Sequence, residues 1–179
     1  MDADYRDAQV FYPQDEMTTI LIPVTTGCSY NKCAFCSMYK SDKYEEVALS
    51  DIEMLLLNGY KYTEKVFLTG ADPLAIGFDK MLKIIALINK YLPFCTQIAS
   101  YAAIRTLAQY SVEELATLHD KGLRLLYIGF ETGSDDVLKL MKKGHTASEA
   151  IKQARKLNAA KLQFNSIIMY GIAGAGKSV

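Results

Sequence analysis

Short apolar or β-branched runs alternate with amphipathic stretches along most of this chain. The intervening stretches carry apolar residues at helical spacing. Strands separated by helices are typical of βαβ units with a parallel sheet, so the pattern predicts an α/β fold. The runs that we predict as strands are residues 18–25, 65–69, 95–99, 123–130 and 161–170.

Capping residues and helix breakers set the limits of the predicted helices. Ser50 is followed by Glu53, and Ser111 by Glu114, at the spacing of a capping box. Glycine or proline closes most of the amphipathic stretches. The predicted helices are residues 50–59, 79–91, 111–122, 134–143 and 148–158. Pro23 favours an edge position for the first strand, because proline cannot donate to a sheet ladder.

Composition narrows the class of protein. The 179 residues are enough for one domain, and half of them are hydrophobic, as in ordinary globular proteins. Twenty basic residues balance twenty acidic ones, so the sequence lacks the excess of positive charge that would indicate nucleic-acid binding. The acidic start does not resemble a signal peptide, and the longest apolar stretch, residues 81–94, contains two lysines. We expect a cytoplasmic protein without a membrane partner.

Three of the four cysteines, Cys28, Cys33 and Cys36, lie within nine positions directly after the first predicted strand. Three is an odd number, which argues against a closed set of disulfides. Soft thiolate ligands suit zinc, copper(I) or iron–sulfur clusters. A structural zinc site needs a fourth ligand, and the candidates for it are distant in the sequence: Cys95, His119 and His145.

Polar or glycine-rich segments follow every predicted strand. Asp72 comes after the second strand, Ser100 after the third, Glu131 after the fourth and Gly171 after the fifth. The carboxyl ends of parallel strands meet at one edge of a sheet, where βα folds carry their functional residues. We therefore predict one site that contains the cysteine loop and two carboxylates.

Together these segments resemble the radical S-adenosylmethionine (SAM) superfamily, especially its branch with the oxygen-independent coproporphyrinogen oxidases and the elongator-type enzymes. In that superfamily three cysteines hold a 4Fe–4S cluster, and an aromatic residue before the last cysteine packs beside the SAM adenine. The resemblance assigns these roles to Cys28, Cys33, Cys36 and Phe35. The Cys28-x4-Cys33 spacing has one residue more than the common motif.

Other segments resemble further motifs of the same superfamily. Gly70-Ala71-Asp72-Pro73 is similar to a Gly-Gly-Glu-Pro motif that binds the SAM amino group, with glutamate shortened to aspartate. Glu131 matches a glutamate that faces the ribose or the methionyl end of SAM, and Gly171 lies in a region beside the adenine. Ser100 is a further candidate contact to the cofactor.

The resemblance implies a partial (β/α) TIM-type barrel. Residues 1–17 would lead into a radical SAM core of residues 18–179, which we expect to be incomplete after the fifth strand. The implied activity is reductive cleavage of SAM at the cluster to a 5′-deoxyadenosyl radical, which abstracts hydrogen from an unidentified substrate. A flavodoxin or ferredoxin would act as electron donor.

Two alternatives remain open. The cysteines could stabilise a binding module through zinc. Residues 171–178 also fit Gly-x4-Gly-Lys-Ser, the phosphate-binding loop of nucleotide hydrolases. That loop needs a helix whose amino terminus supports the phosphates, and the sequence ends at Val179, so we expect the lysine and serine to be coincidental.

Overall fold

The computed structural model describes residues 9–59 and 61–174. Its centre is a five-stranded parallel sheet in which the strands lie side by side in the order of the chain. A short antiparallel ladder joins the segments on either side of the cysteine loop. The strands are β1 (Ile20–Pro23), β2 (Thr25–Thr26), β3 (Glu45–Glu46), β4 (Lys65–Thr69), β5 (Gln97–Ala102), β6 (Leu123–Glu131) and β7 (Gln163–Ile168).

Helices connect the strands of the parallel sheet, as the alternating pattern predicts. They are α1 (Leu49–Leu57), α2 (Phe78–Tyr91), α3 (Ile104–Leu107), α4 (Val112–Asp120), α5 (Asp135–Leu140) and α6 (Ala147–Ala159). Two 3-10 helices, Gln14–Glu16 and Pro73–Ile76, precede β1 and α2. No helix in the described part of the chain has the length and apolarity that crossing a membrane requires.

The two faces of the sheet have different neighbours. Val66 and Leu68 of β4 are fully buried in the large core between sheet and helices. Phe67, which lies between them, packs instead with Ala99 and Tyr127 in a second cluster on the other face. Successive residues of a strand point to opposite faces, so the alternate positions of each strand decide which side chains can line a site on the second face.

The predicted strands and most predicted helices are confirmed, with differences at the ends. Ser111 forms the predicted capping box with Glu114. Ser50 does not cap α1, because that helix already begins at Leu49 with Ala48 at the N-cap. The β2–β3 ladder and α3 were not predicted, since both are too short to show a periodic pattern.

The end of α5 was predicted wrongly at Lys143. The helix ends at Leu140, and Lys142 takes a left-handed backbone with φ of 51°. The Lys143 amide then donates to the Leu138 carbonyl at 2.9 Å, which closes the helix end without a glycine. Residues 141–144 therefore form a turn, and this turn contacts the cysteine loop.

Glu16 is a buried carboxylate in the segment that leads into β1. It is fully buried, and its Oε1 lies 2.8 Å from Lys65 Nζ. The same oxygen accepts a hydrogen bond from the Tyr127 hydroxyl at 2.7 Å, and Oε2 accepts one from Thr19 at 2.8 Å. The 3-10 helix Gln14–Glu16 is thereby fixed to the face of the sheet that carries Tyr127.

We expect Glu16→Ala to lower the free energy of unfolding by about 3 kcal/mol, because it leaves Lys65 and the Tyr127 hydroxyl without their buried acceptor. Urea denaturation followed by circular dichroism measures the loss. The matched control is the exposed neighbour Asp15, whose replacement by alanine should change stability by less than about 0.5 kcal/mol. Equal free energies of unfolding for the two variants would contradict a stabilising role of the Glu16 carboxylate.

Candidate functional site

A cavity of about 450 Å3 opens at the carboxyl ends of the parallel strands. The chain segment after each of the five strands contributes to its wall. One residue from each segment, in the order of the chain, is Cys28, Asp72, Arg105, Lys143 and Met169. The single site predicted from the loops after the strands is therefore formed by the fold.

The cysteine loop lines one side of this cavity. Cys28, Cys33 and Cys36 are free thiols of intermediate exposure, and all three border the cavity. Asn31 takes a left-handed backbone with φ of 47°, and its amide donates to Cys28 Sγ at 3.3 Å. The longer spacing between Cys28 and Cys33 is thus accommodated by a turn at Asn31.

The turn of residues 141–144 holds the cysteine loop from one side. The Ala34 amide donates to the Met141 carbonyl at 2.9 Å, and the Tyr30 hydroxyl donates to the Lys142 carbonyl at 3.0 Å. Gly144 has a φ of 82°, and a Cβ atom at this position would lie 2.6 Å from the Tyr30 ring. Close approach of the tyrosine to the backbone therefore requires glycine at this position.

Asp72 lies at the back of the cavity. Its carboxylate is 3% exposed and accepts hydrogen bonds from the Thr106 hydroxyl at 2.5 Å and the Ala103 amide at 3.1 Å. The Ser29 hydroxyl donates to it at 3.4 Å. Burial raises the pKa of Asp72, and the hydrogen bonds from Thr106 and Ala103 act against that rise.

Glu131 and Lys143 form an ion pair in the wall of the cavity. Glu131 Oε1 lies 2.6 Å from Lys143 Nζ, with side-chain exposures of 8% and 17%. Glu131 has φ of 62°, an unusual conformation for a residue with a side chain. Lys143 Nζ also lies 5.6 Å from the centre of the Phe35 ring. The pair thus connects the end of β6 with the cysteine loop.

Gly129 provides the space for this ion pair. A Cβ atom there would clash with Glu131 Oε1 and lie 2.8 Å from Lys143 Nζ. Because Gly129 and Glu131 both border the cavity, a side chain at Gly129 would displace charged groups of the site.

Burial and the charge of Lys143 shift the pKa values of two titratable groups in the cavity wall, Cys33 and His145. Burial raises the pKa of the Cys33 thiol, and the nearby Lys143 ammonium opposes this. Burial and Lys143 together lower the pKa of His145 to about 4. Among the described residues, His145 Nε2 has no hydrogen-bond partner although it is buried. The imidazole is therefore neutral at neutral pH and borders the cavity.

Four of the predicted cofactor contacts border the cavity: Phe35, Ala71, Asp72 and Glu131. Ser100 does not, because it lies on the helix-facing side of β5, in register with Leu68 and Leu126 of the main core. It is fully buried and donates to the Tyr101 carbonyl.

Gly70 and Gly171 also lie outside the cavity wall. A Cβ atom on Gly70 would clash with Thr25 Oγ1, and φ at Gly70 is 130°, so this glycine admits close packing behind the site. Gly171 has open space around it and φ of 68°. The rest of the proposed phosphate loop, residues 175–178, lies outside the described residues.

Several residues of the cavity were not identified from the sequence. Tyr101 and Tyr127 form part of its wall, and their rings meet Phe67 edge-on at 5.2 and 6.0 Å. Arg105 and Lys143 supply positive charge. The alternation of side chains along β5 could have indicated Tyr101, because Tyr101 is the neighbour of Ser100 and points to the opposite face of the sheet. No local pattern marks Arg105 or Lys143.

The cysteines are not arranged around a single ion. In the described part of the chain, no group of three or more His, Cys, Asp or Glu side chains could hold one metal ion. This arrangement does not provide the closed four-ligand site that the zinc alternative requires. A cluster distributes its thiolate ligands over several irons, so its ligands do not have to converge on one point.

Comparison with known proteins shows the family to which this sequence belongs. Residues 22–176 match the family model described as Radical SAM superfamily. The chain is 21% identical over 150 residues to the heme chaperone HemW of Bacillus subtilis (strain 168), covering 82% of this chain and 39% of that protein. It is 25% identical over 169 residues to the threonylcarbamoyladenosine tRNA methylthiotransferase MtaB of Rickettsia prowazekii (strain Madrid E), covering 88% and 39%.

The fold is also that of a solved radical SAM structure. The cobalamin-dependent S-adenosylmethionine radical enzyme OxsB, with aqua-cobalamin and S-adenosylmethionine bound, superposes with a TM-score of 0.70 at 18% identity. The match covers 84% of this chain and 24% of OxsB. This likeness confirms the predicted partial (β/α) barrel. The chain spans about two fifths of the length of the curated relatives that it matches.

Proposed function

Because this chain belongs to the radical SAM superfamily, we propose that Cys28, Cys33 and Cys36 hold a 4Fe–4S cluster and that the adjacent cavity binds SAM. One observation carries the proposal: three free thiols border a single cavity to which the segments after all five parallel strands contribute. The whole protein would then act on an unidentified substrate, with a flavodoxin or ferredoxin as electron donor.

The cysteine loop has the chemistry that a cluster requires. Its thiols are unpaired and half-buried, so they can be ligands without first breaking a disulfide. The Asn31 amide donates to Cys28 Sγ, and hydrogen bonds to sulfur are one of the means by which proteins set the potential of a cluster. A reducing compartment such as the cytoplasm would keep these thiols free.

The cavity offers partners for the adenine, the ribose and the carboxylate of SAM. Phe35 presents an aromatic ring for the adenine, and Glu131 presents a carboxylate that accepts hydrogen bonds from ribose hydroxyls. Lys143 and Arg105 are cations that attract the carboxylate of the methionyl end. Ala71 is small enough for close approach of the ligand. Gly70, Ser100 and Gly171 support the walls in this proposal and do not touch SAM.

The bound and reduced cluster would supply the electron for cleavage of SAM to the 5′-deoxyadenosyl radical that takes hydrogen from the substrate. The chain itself binds and orients. Tyr101, Tyr127, Ile167 and Met169 give the cavity a largely apolar wall, against which the apolar parts of a bound ligand would pack.

Anaerobic reconstitution tests the proposal. The protein is incubated with iron and sulfide under reductant, and bound iron, bound sulfide and the visible absorbance are measured. We expect brown protein with about four irons per chain, whose calorimetric titration with SAM gives saturable binding. A colourless protein that retains stoichiometric zinc under the same conditions would contradict the proposal and support the zinc module.

A further inference from the structure

We propose that a hydrogen-bond network around Asp72 holds the cysteine loop in its binding conformation before any ligand arrives. The Asp72 network is defined as the Ser29 hydroxyl, the Asp72 carboxylate, the Ala103 amide and the Thr106 hydroxyl. Asp72 is then a positioning residue for the cysteine loop. The proposal rests on the proposed function only in taking this loop as the cluster-binding segment.

The carboxylate of Asp72 is directed at α3 and is occupied by groups of the chain itself. Oδ1 accepts from the Ala103 amide at 3.1 Å, and Oδ2 accepts from the Thr106 hydroxyl at 2.5 Å. Both Asp72 and Thr106 are nearly inaccessible, with exposures of 3% and 2%. A buried carboxylate needs several donors to remain stable, and α3 together with its N-cap residue Ala103 supplies two of them.

Ser29 transmits this arrangement to the cysteine loop. Its hydroxyl donates to Asp72 Oδ2 at 3.4 Å and accepts from Arg105 Nη2 at 2.6 Å. The same Arg105 guanidinium lies 4.7 Å from the centre of the Tyr30 ring. The two residues that directly follow Cys28 are thus both held by α3, while the turn of residues 141–144 holds Tyr30 from the other side.

The length of the side chain agrees with this role. The similar motif of the superfamily has glutamate at this position, whereas Asp72 is one methylene shorter. The shorter carboxylate reaches the backbone and hydroxyl donors of α3 directly. Thr106 does not border the cavity, so a substitution there removes no group that lines the site.

Alkylation of the thiols in the metal-free protein tests the network without cluster or SAM. Thr106→Val keeps the volume of the side chain and removes the hydroxyl, and Thr106→Ser keeps the hydroxyl and removes the methyl group. Iodoacetamide labelling followed by mass spectrometry gives a rate for each cysteine. Loss of one buried hydrogen bond should raise the rate at Cys28 about fivefold in Thr106→Val and leave it near the wild-type rate in Thr106→Ser.

Two controls separate the network from general unfolding. Cys95, which packs against the main core, reports global opening in the same molecule and should be alkylated at its wild-type rate in both variants. Thr117→Val removes a hydroxyl that donates to a carbonyl within α4 at 2.7 Å, and it should leave Cys28 unchanged.

Three outcomes would overturn the proposal. They are an unchanged Cys28 rate in Thr106→Val, an equal increase at Cys95, and an effect of Thr106→Ser as large as that of Thr106→Val. Because all rates are measured without iron, failure of the network is distinct from failure of the proposed function. The proposed function is tested separately, by the uptake of a cluster by the wild-type protein.

Discussion

Replacing Cys28, Cys33 and Cys36 together with alanine is expected to reduce the iron of the reconstituted protein from about four per chain to nearly none. The reason is that these thiols are the soft ligands that border the cavity. Iron and sulfide analysis and the visible absorbance after removal of unbound iron measure the loss. Circular dichroism should show an unchanged fold, because the three side chains lie in a loop outside the main core.

Cys95→Ala is the matched control for this triple variant. Cys95 is also a free cysteine of intermediate exposure, but it packs against the main core and its thiol lies 3.6 Å from the Gln97 carbonyl. We expect the Cys95 variant to retain its iron. Full iron content in the triple variant, or loss of iron in Cys95→Ala, would show that the cluster ligands lie elsewhere.

Gly129→Ala is expected to weaken SAM binding by tenfold to about a hundredfold. The added methyl group would clash with Glu131 Oε1 and approach Lys143 Nζ to 2.8 Å. The charged ends of both side chains must then shift from the positions that they hold in the cavity wall. Charged hydrogen bonds contribute roughly 1.5–3 kcal/mol each, and each 1.4 kcal/mol is a factor of ten in affinity. Calorimetric titration of the reconstituted protein with SAM measures the change.

Gly133→Ala provides the control. Nothing lies within 4 Å of a Cβ atom at Gly133, so the same chemical change introduces no contact two residues beyond Glu131. SAM affinity and iron content should stay at their wild-type values in this variant. Wild-type affinity in Gly129→Ala, with the cluster present, would exclude Glu131 and Lys143 from SAM binding.

Local patterns were sufficient to predict the parallel α/β sheet and the position of the cysteine loop at one edge of it. Strands and helices follow from the spacing of apolar residues, because that spacing decides which face of an element is buried. The cysteine loop, Asp72 and Glu131 were found because a parallel sheet brings the carboxyl ends of its strands to one edge. This rule specifies the edge of the sheet, but it does not say which face a given side chain occupies.

Ser100 was predicted to border the site, but its side chain lies on the other face of the sheet. It directly follows the predicted strand of residues 95–99, where a site residue is expected, but the observed register puts it beside Leu68 and Leu126 on the helix side. Its neighbour Tyr101 borders the cavity instead. A shift by one residue moves a side chain from one face of the sheet to the other. A strand end that is known only to within one residue therefore does not show whether Ser100 or Tyr101 borders the cavity.

By itself, the sequence determined the α/β fold, the edge of the sheet at which the site forms and the three thiols that border it. Only the tertiary structure decided the partners of its charges. Arg105 meets Ser29 from 76 positions away, Lys143 meets Glu131 above Gly129, and Glu16 meets Tyr127 across 111 positions. Hydrophobic spacing is a property of neighbouring residues, whereas a buried polar contact depends on which distant segments the folded sheet brings within hydrogen-bonding distance.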